Sequence, residues 1–397
     1  MQWRTITLKP EDNPYAPGAG TPPPELTGRD ILLSEANIAL KRIKKGLSEQ
    51  SFILTGLRGV GKTVLLNKIL QDAKSLGFVA DLIEAPENRK IAELLLPSVR
   101  KATAQLNVSD RLKSCVAKVL RVIKSFSLCM KVAETELTLS LDPESGIADS
   151  GDIERDLSDL FEELGVLAKE AGRGVVFLID EVQYLSEQDF GALIVAAHRV
   201  AQRQLPVIII GAGLPMLPGI SGNAKSYAER LFKFPKIGSL EREDAIKALI
   251  EPARHLGVKY LSEALDEILK STKGYPYFLQ EWGYAIWNYA QNSPITLNDV
   301  NAAQKQIIEK LDHSFFRVRL DRMTDSEKRY LRGLAELGPG PHETKKIALL
   351  FKRKNQSFGP ARDSLIKKGM IYSPSHGFLE FTVPLFDEFM RRFIPVL

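Results

Sequence analysis

Eight residues, Gly56-Leu57-Arg58-Gly59-Val60-Gly61-Lys62-Thr63, constrain this chain more than any others. They fit G-x-x-x-x-G-K-[ST] at every defined position, after a compact apolar run (SFILTG, 51–56) and at the start of an amphipathic stretch (KTVLLNKILQDAKSLG, 62–77). Glycines there let backbone N–H groups curl round an anion, and the helix that follows turns its positive end toward it. The pattern predicts that Gly56, Gly59, Val60 and Gly61 cradle phosphates, that Lys62 reaches the β- and γ-phosphate oxygens, and that Thr63 offers its hydroxyl to Mg²⁺. ATP and Mg²⁺ are the expected cofactors. With FVADLIEAP (78–86) as the next strand, the unit is βαβ, which requires a parallel sheet with helices on its faces.

A second signal is VVFLIDE (175–181), an apolar strand ending in two carboxylates. Asp180, at the carboxyl end of a buried strand, is placed to hold the Mg²⁺ shell, and Glu181 to polarise an attacking water. Capping of the following helix is the simpler role for either acid, but two acids after such a strand are costly without a cation or ligand to face. LPVIIIGAG (205–213) reads as another buried parallel strand. Arg230 follows it. It is either a solvated charge or an arginine finger on a γ-phosphate, in its own subunit or a neighbour's.

The remaining chain divides by pattern. Residues 1–25, rich in Pro and Gly, read as an extended arm and not as a packed element. A phosphate-loop domain spans 26–239, with alternation over 126–142 that predicts a β-hairpin insertion and an acidic, mobile connector at 142–156. An all-helical segment, 240–311, opens its aromatic-rich helix with Gly274-Tyr275-Pro276, for which an ordinary helix start is an adequate reading. No apolar run approaches the ~20 residues of a membrane span, and no secretory h-region precedes the arm, so a cytoplasmic protein without membrane contact is expected. Cys115 and Cys129 fit that reducing setting as small apolar residues.

The net charge of +5 is concentrated at the end: residues 312–397 hold 16 basic and 10 acidic side chains. TDSEKRYLRGLAEL (324–337) carries a capping box in Thr324 and Glu327. Two further short helices and IYSPSHGFLEFTVPLF (371–386), which alternates around a Gly turn, predict a winged helix-turn-helix over 312–397. Its second helix would present Arg362, Lys367 and Lys368 to a major groove, while Lys352, Arg353 and Lys354 would contact phosphates of duplex DNA. The alternative is a winged helix used for protein contacts alone. The basic run at 111–124 reads as a solvated helix face.

LTGRD (26–30), GLRGVGKT, FLIDE, a strand ending in GAG, Arg230 and GYP occur in that order. The set resembles AAA+-like ATPases that group with origin-recognition-type initiators, archaeal ATPases and STAND signalling NTPases. The resemblance implies an AAA+-like α/β domain, a helical lid and a C-terminal winged helix. It places Gly28 and Arg29 near the adenine and Pro276 along the nucleotide. Two departures stand out: Gly211-Ala212-Gly213 lies where a polar sensor is common, and the GYPYFLQ segment has no arginine. Both favour slow or gated turnover. The expected function is an ATPase that couples nucleotide state to DNA binding. The competing reading is a signalling or defence switch acting through a protein partner or a second copy of the chain.

Overall fold

The computed structural model describes residues 6–394 apart from 19, 88, 108, 133–141 and 225–227. It divides into two compact units: Asp30–Gly56 with Lys62–Lys236, and Met1–Arg29 with Leu57–Gly61 and Ile237–Leu397. The phosphate loop is therefore shared, its tip clustering with the second unit and its ends with the first.

In the first unit, α1 (Asp30–Lys44) precedes β1 (Ser51–Thr55), α2 (Lys62–Ser75), β2 (Val79–Glu84), α3 (Ile91–Leu106) and α4 (Lys113–Cys129). Then come α5 (Ile153–Glu170), β3 (Val175–Asp180), α6 (Glu187–Gln202), β4 (Val207–Gly213), α7 (Leu217–Ala224), α8 (Ala228–Leu231) and β5 (Phe232–Lys233). The five strands are parallel in the order β2-β3-β4-β1-β5. β1, β3 and β4 are buried along their whole length, which is why each reads as a continuous apolar run. The predicted βαβ unit is parallel, but β1 and β2 are not neighbours: β4 lies between β1 and β3, with Thr55 opposite Gly213 and Ile179 opposite Gly211. The loop after β1 and the acids after β3 thus leave the sheet at one end, on either side of the end of β4.

The apolar face of α5, with Leu157, Leu160, Phe161 and Leu164 fully buried, packs on this sheet; Phe161 stacks on Phe177 at 5.2 Å. Each such side chain contributes about 1.5–3 kcal/mol by leaving water. The hairpin expected over 126–142 is absent as far as Cys129, because α4 continues through 126–129; residues 133–141 lie outside the described residues. The alternation FSLCM there is one turn of an amphipathic helix whose Phe126 is buried. The acidic connector is tied down: buried Asp156 accepts from the Ser150 N–H at 3.0 Å, its hydroxyl at 2.7 Å and the Gly151 N–H at 2.9 Å.

In the second unit, α9 (Arg242–His255), α10 (Ser262–Thr272), α11 (Pro276–Tyr289) and α12 (Leu297–Leu311) form the helical segment. The N-terminal arm packs on it. Leu8 and Tyr15 are buried, the Tyr15 hydroxyl donates to the Leu249 carbonyl at 2.6 Å, and Trp287 Nε1 donates to the Lys9 carbonyl at 2.8 Å. An arm short of regular structure still buries Leu8 and Tyr15, which its Pro/Gly composition does not encode.

After a π-helical turn (Asp312–Phe316) come α13 (Arg317–Leu320), α14 (Asp325–Glu336), β6 (His342–Glu343), α15 (Thr344–Leu350) and α16 (Gly359–Lys367). β7 (Ile371–Tyr372), β8 (Phe378–Phe381) and α17 (Phe386–Phe393) complete the chain, and the antiparallel order β6-β8-β7 forms a small sheet. The Thr324–Glu327 capping box is present at the start of α14. Among the described residues no helix is long and apolar enough to cross a membrane.

Candidate nucleotide site

The end of β1 turns into the loop with Gly59 at φ +81° and Gly61 at φ +92°, left-handed conformations that glycine adopts without a Cβ penalty. α2 begins at Lys62, so its unpaired N–H groups face the loop. The buried Lys62 ammonium donates to the Gly56 carbonyl at 2.9 Å, bracing the loop across its own mouth. One residue on, the Thr63 hydroxyl donates to Asp180 Oδ2 at 2.5 Å. Asp180 is itself buried, and burial pushes its carboxyl above the usual range; the bonds from Thr63 and from the Glu181 N–H (2.8 Å) offset this only in part. A hydroxyl and a carboxylate meeting at a helix N-terminus are hard oxygen donors that fit a divalent cation shared with phosphate.

Glu181 takes a left-handed backbone, φ 54° and ψ 39°, which a non-glycine residue holds only where its surroundings impose it. The turn Val182–Tyr184 then folds Gln183 back, so that its side-chain amide contacts the Glu181 carboxylate. Gln183 was not legible in the sequence as a site residue.

Arg230 is exposed, two residues before the Phe232 that pairs with Ser51 at the start of β1. Its carbonyl accepts from Gln50 Nε2 at 2.5 Å. The phosphate loop leaves the other end of β1, about 13 Å away at the rise of an extended strand. The backbone of Arg230 and the phosphate loop therefore lie at opposite ends of β1.

The tip of the loop has partners of its own within the second unit. The Tyr277 N–H, in the first turn of α11 beside Pro276, donates to the Gly59 carbonyl at 3.2 Å, and the Arg58 N–H donates to the Thr382 carbonyl at 2.9 Å. Arg29 donates to the Val60 carbonyl at 3.5 Å and to the Gly238 carbonyl at 2.5 Å. Gly28, at φ +67°, lies so close to Asp244 that a Cβ would meet its carboxylate at 2.7 Å.

Among the basic residues of the C-terminal region, Lys352, Arg353, Lys354 and Lys367 are exposed, and Arg362 lies 3.4 Å from Asp363. Lys368, expected above to meet DNA, is engaged within the fold. Its ammonium donates to both oxygens of buried Glu327, at 2.9 and 2.8 Å, and to the Arg322 carbonyl at 3.1 Å. Burial would raise the Glu327 carboxyl, but bonds from Lys368, Ser364 and Thr324 prevail and hold it down at about 2. Lys345 and Lys346, which the sequence reading passed over, are exposed on α15.

Residues 25–210 match the family described as an AAA ATPase domain, and residues 313–390 match a domain of unknown function (DUF8462). No curated protein matches the chain in sequence. In structure it is similar to the Walker-type ATPase PABY2304 of Pyrococcus abyssi, at 18% identity and a TM-score of 0.55, covering 94% of this chain and 97% of that one. It also aligns with the Aeropyrum pernix Orc1 protein in complex with DNA (14% identity, TM-score 0.47, 94% of each chain). Cdc6p from Pyrobaculum aerophilum aligns at 13% identity and TM-score 0.47, over 98% of this chain and 99% of that one. With the matched family, the five-stranded parallel sheet and the loop and carboxylates at one end of it, residues 25–210 read as an AAA+-like P-loop ATPase domain.

Proposed function

We propose that this ATPase couples its nucleotide state to the binding of duplex DNA through a winged helix formed by α14–α16 and β6–β8. The observation that carries the reading is a cluster of exposed basic side chains, Lys345, Lys346, Lys352, Arg353 and Lys354, on α15 and the turn after it. None of the five forms an ion pair among the described residues. The helix–strand–helix–helix–strand–strand order is the one a winged helix-turn-helix requires, and α16 follows α15 as its recognition helix would.

In this reading Lys62 and the loop amides would bind the phosphates, and Thr63 and Asp180 would hold Mg²⁺, which when bound would offset phosphate charge. Glu181 accepts the proton of the attacking water. The bonds from Tyr277 to Gly59 and from Arg58 to Thr382 support a coupling between the loop tip and the C-terminal region. Aromatic packing extends it: Tyr277 stacks on Phe315 at 4.7 Å, Phe315 meets Phe316 edge-on at 5.1 Å, and Phe316 stacks on Phe389 at 5.2 Å.

The test is a fluorescence-polarisation titration of a duplex at low salt, with ATP, with ADP and without nucleotide. Affinity that differs between nucleotide states supports the proposal; no affinity in any state rejects it. Leu349, 74% exposed among these lysines, favours a second reading in which the same face binds a protein. Nucleotide-dependent recovery of one defined partner, with no DNA affinity, would select it.

A further inference from the structure

We propose that Gln183 is a positioning residue for Glu181, and that the small end of β4 exists to admit it. The inference rests on the reading of Glu181 as the water-activating carboxylate. Gln183 Oε1 accepts from the Leu214 N–H, just beyond β4, at 3.1 Å. That bond fixes the orientation of the amide, because only its oxygen can accept from a backbone N–H. Gln183 Nε2 is then the atom facing Glu181, and it donates to Oε2 of the carboxylate. One side chain therefore ties the carboxylate to the strand that separates β1 from β3.

Space at the end of β4 supports the same assignment. A Cβ built on Gly213 would stand 2.4 Å from Leu217 Cδ1 and 2.6 Å from Gln183 Oε1, so that both side chains would have to shift. Val182, the residue before, is buried with a methyl 3.0 Å from where a Gly211 Cβ would be, so the turn carrying Gln183 is seated on both glycines. The Gly211-Ala212-Gly213 ending thus leaves no polar group on the strand itself and makes room for one delivered from the turn after β3. Glu181, in its left-handed conformation, needs such an anchor more than a residue of relaxed backbone would. A carboxylate that must meet a water in line with a phosphate loses rate steeply when displaced by an ångström.

The experiment measures ATP turnover and nucleotide affinity for Gln183→Ala, Gly213→Ala, Glu181→Gln and the Gln183→Ala/Glu181→Gln double variant, each checked by thermal melting. Gln183→Ala should lower kcat by about 10- to 100-fold with ATP affinity unchanged. The double variant should be no slower than Glu181→Gln alone, because the two residues act as one unit. Gly213→Ala, which keeps Gln183 but fills its seat, should reproduce the loss, and it carries the test if Gln183→Ala fails to fold. Undiminished kcat in Gln183→Ala or Gly213→Ala, or a Gln183→Ala loss that simply multiplies with that of Glu181→Gln, overturns the proposal while leaving the role of Glu181 intact. Full turnover in Glu181→Gln removes the base itself, and this proposal with it.

Discussion

The Thr63 hydroxyl donates to Asp180 at 2.5 Å, so the last defined residue of the glycine-loop pattern and the acid that ends β3 meet although 117 positions separate them. Asp180 remains a poor tenant of that place on stability grounds alone. Burial raises its carboxyl, so the folded chain holds a proton more tightly than the unfolded one and loses stability as pH rises through that window. Asp180→Asn removes the cost. The variant should melt higher than the unsubstituted chain at neutral pH without nucleotide, while its Mg²⁺-dependent turnover falls by about 10²-fold or more. Calorimetry and a coupled ATPase assay read the two effects separately.

Lys62 and Glu181 divide binding from chemistry. The ammonium of Lys62 is buried against the Gly56 carbonyl, at the mouth of the loop. Lys62→Ala should weaken ATP binding by about 10²-fold through loss of a charge-assisted bond. Glu181→Gln should bind ATP as before and turn over about 10²- to 10⁴-fold more slowly. Titration of a fluorescent ATP analogue beside single-turnover hydrolysis distinguishes them.

Much of this arrangement could be read in the chain before any coordinates. Strands β1, β3 and β4 are buried on both faces and therefore apolar throughout, and the glycine loop has a fixed spacing that few other structures need. What was hidden depends on strand order and side-chain register. The parallel pairing of β5 with β1 puts Arg230 at the start of β1, and no local pattern encodes that pairing. Gln183 looked like a polar residue after a strand until the turn at Val182–Tyr184 folded it against Glu181. Lys368 looked like one more base in a basic helix, because its partner Glu327 lies 41 positions earlier. Over 126–129 the expected hairpin gives way to helix because a short alternating run is also compatible with one face of a helix.

Lys368 and Glu327 make a prediction about stability and not about DNA. The carboxylate is buried and accepts from Lys368, Ser364 and the Thr324 N–H, so removing the ammonium leaves a charge short of a partner. Lys368→Ala should cost about 1–3 kcal/mol in urea unfolding at pH 7. With the carboxyl of Glu327 held at about 2, the network's contribution is complete above the ordinary glutamate range and is lost as pH falls toward 2. The difference between the two chains should therefore shrink in acid. A gap that stays constant from pH 7 to pH 3 would contradict this assignment.

Arg230 lies beside Gln50 at the start of β1, which sets the expectation for its removal. In a dilute monomer, verified by light scattering, Arg230→Ala should hydrolyse ATP within about twofold of the unsubstituted rate, because a surface charge that far from the phosphates is screened. If the chain assembles and Arg230 serves a neighbour, mixing Arg230→Ala with Lys62→Ala restores turnover that neither has alone. A loss of rate in the monomer would show that the guanidinium reaches its own nucleotide after all.

The exposed residues of the turn after α15 give the most direct test of DNA binding. Lys352, Arg353 and Lys354 are consecutive, solvent-facing and without ion-pair partners among the described residues, so replacing all three by alanine should leave the fold intact. If they neutralise phosphates, each releases about one counterion on binding, and log K falls with log salt at a slope of about −0.9 per contact. The triple variant should bind a duplex more weakly at low salt whatever its sequence, and its salt slope should be shallower by about 2–3. A weaker affinity with an unchanged slope would mean that these side chains do not meet the backbone. An unchanged affinity would move the DNA contact, or the partner, to another face.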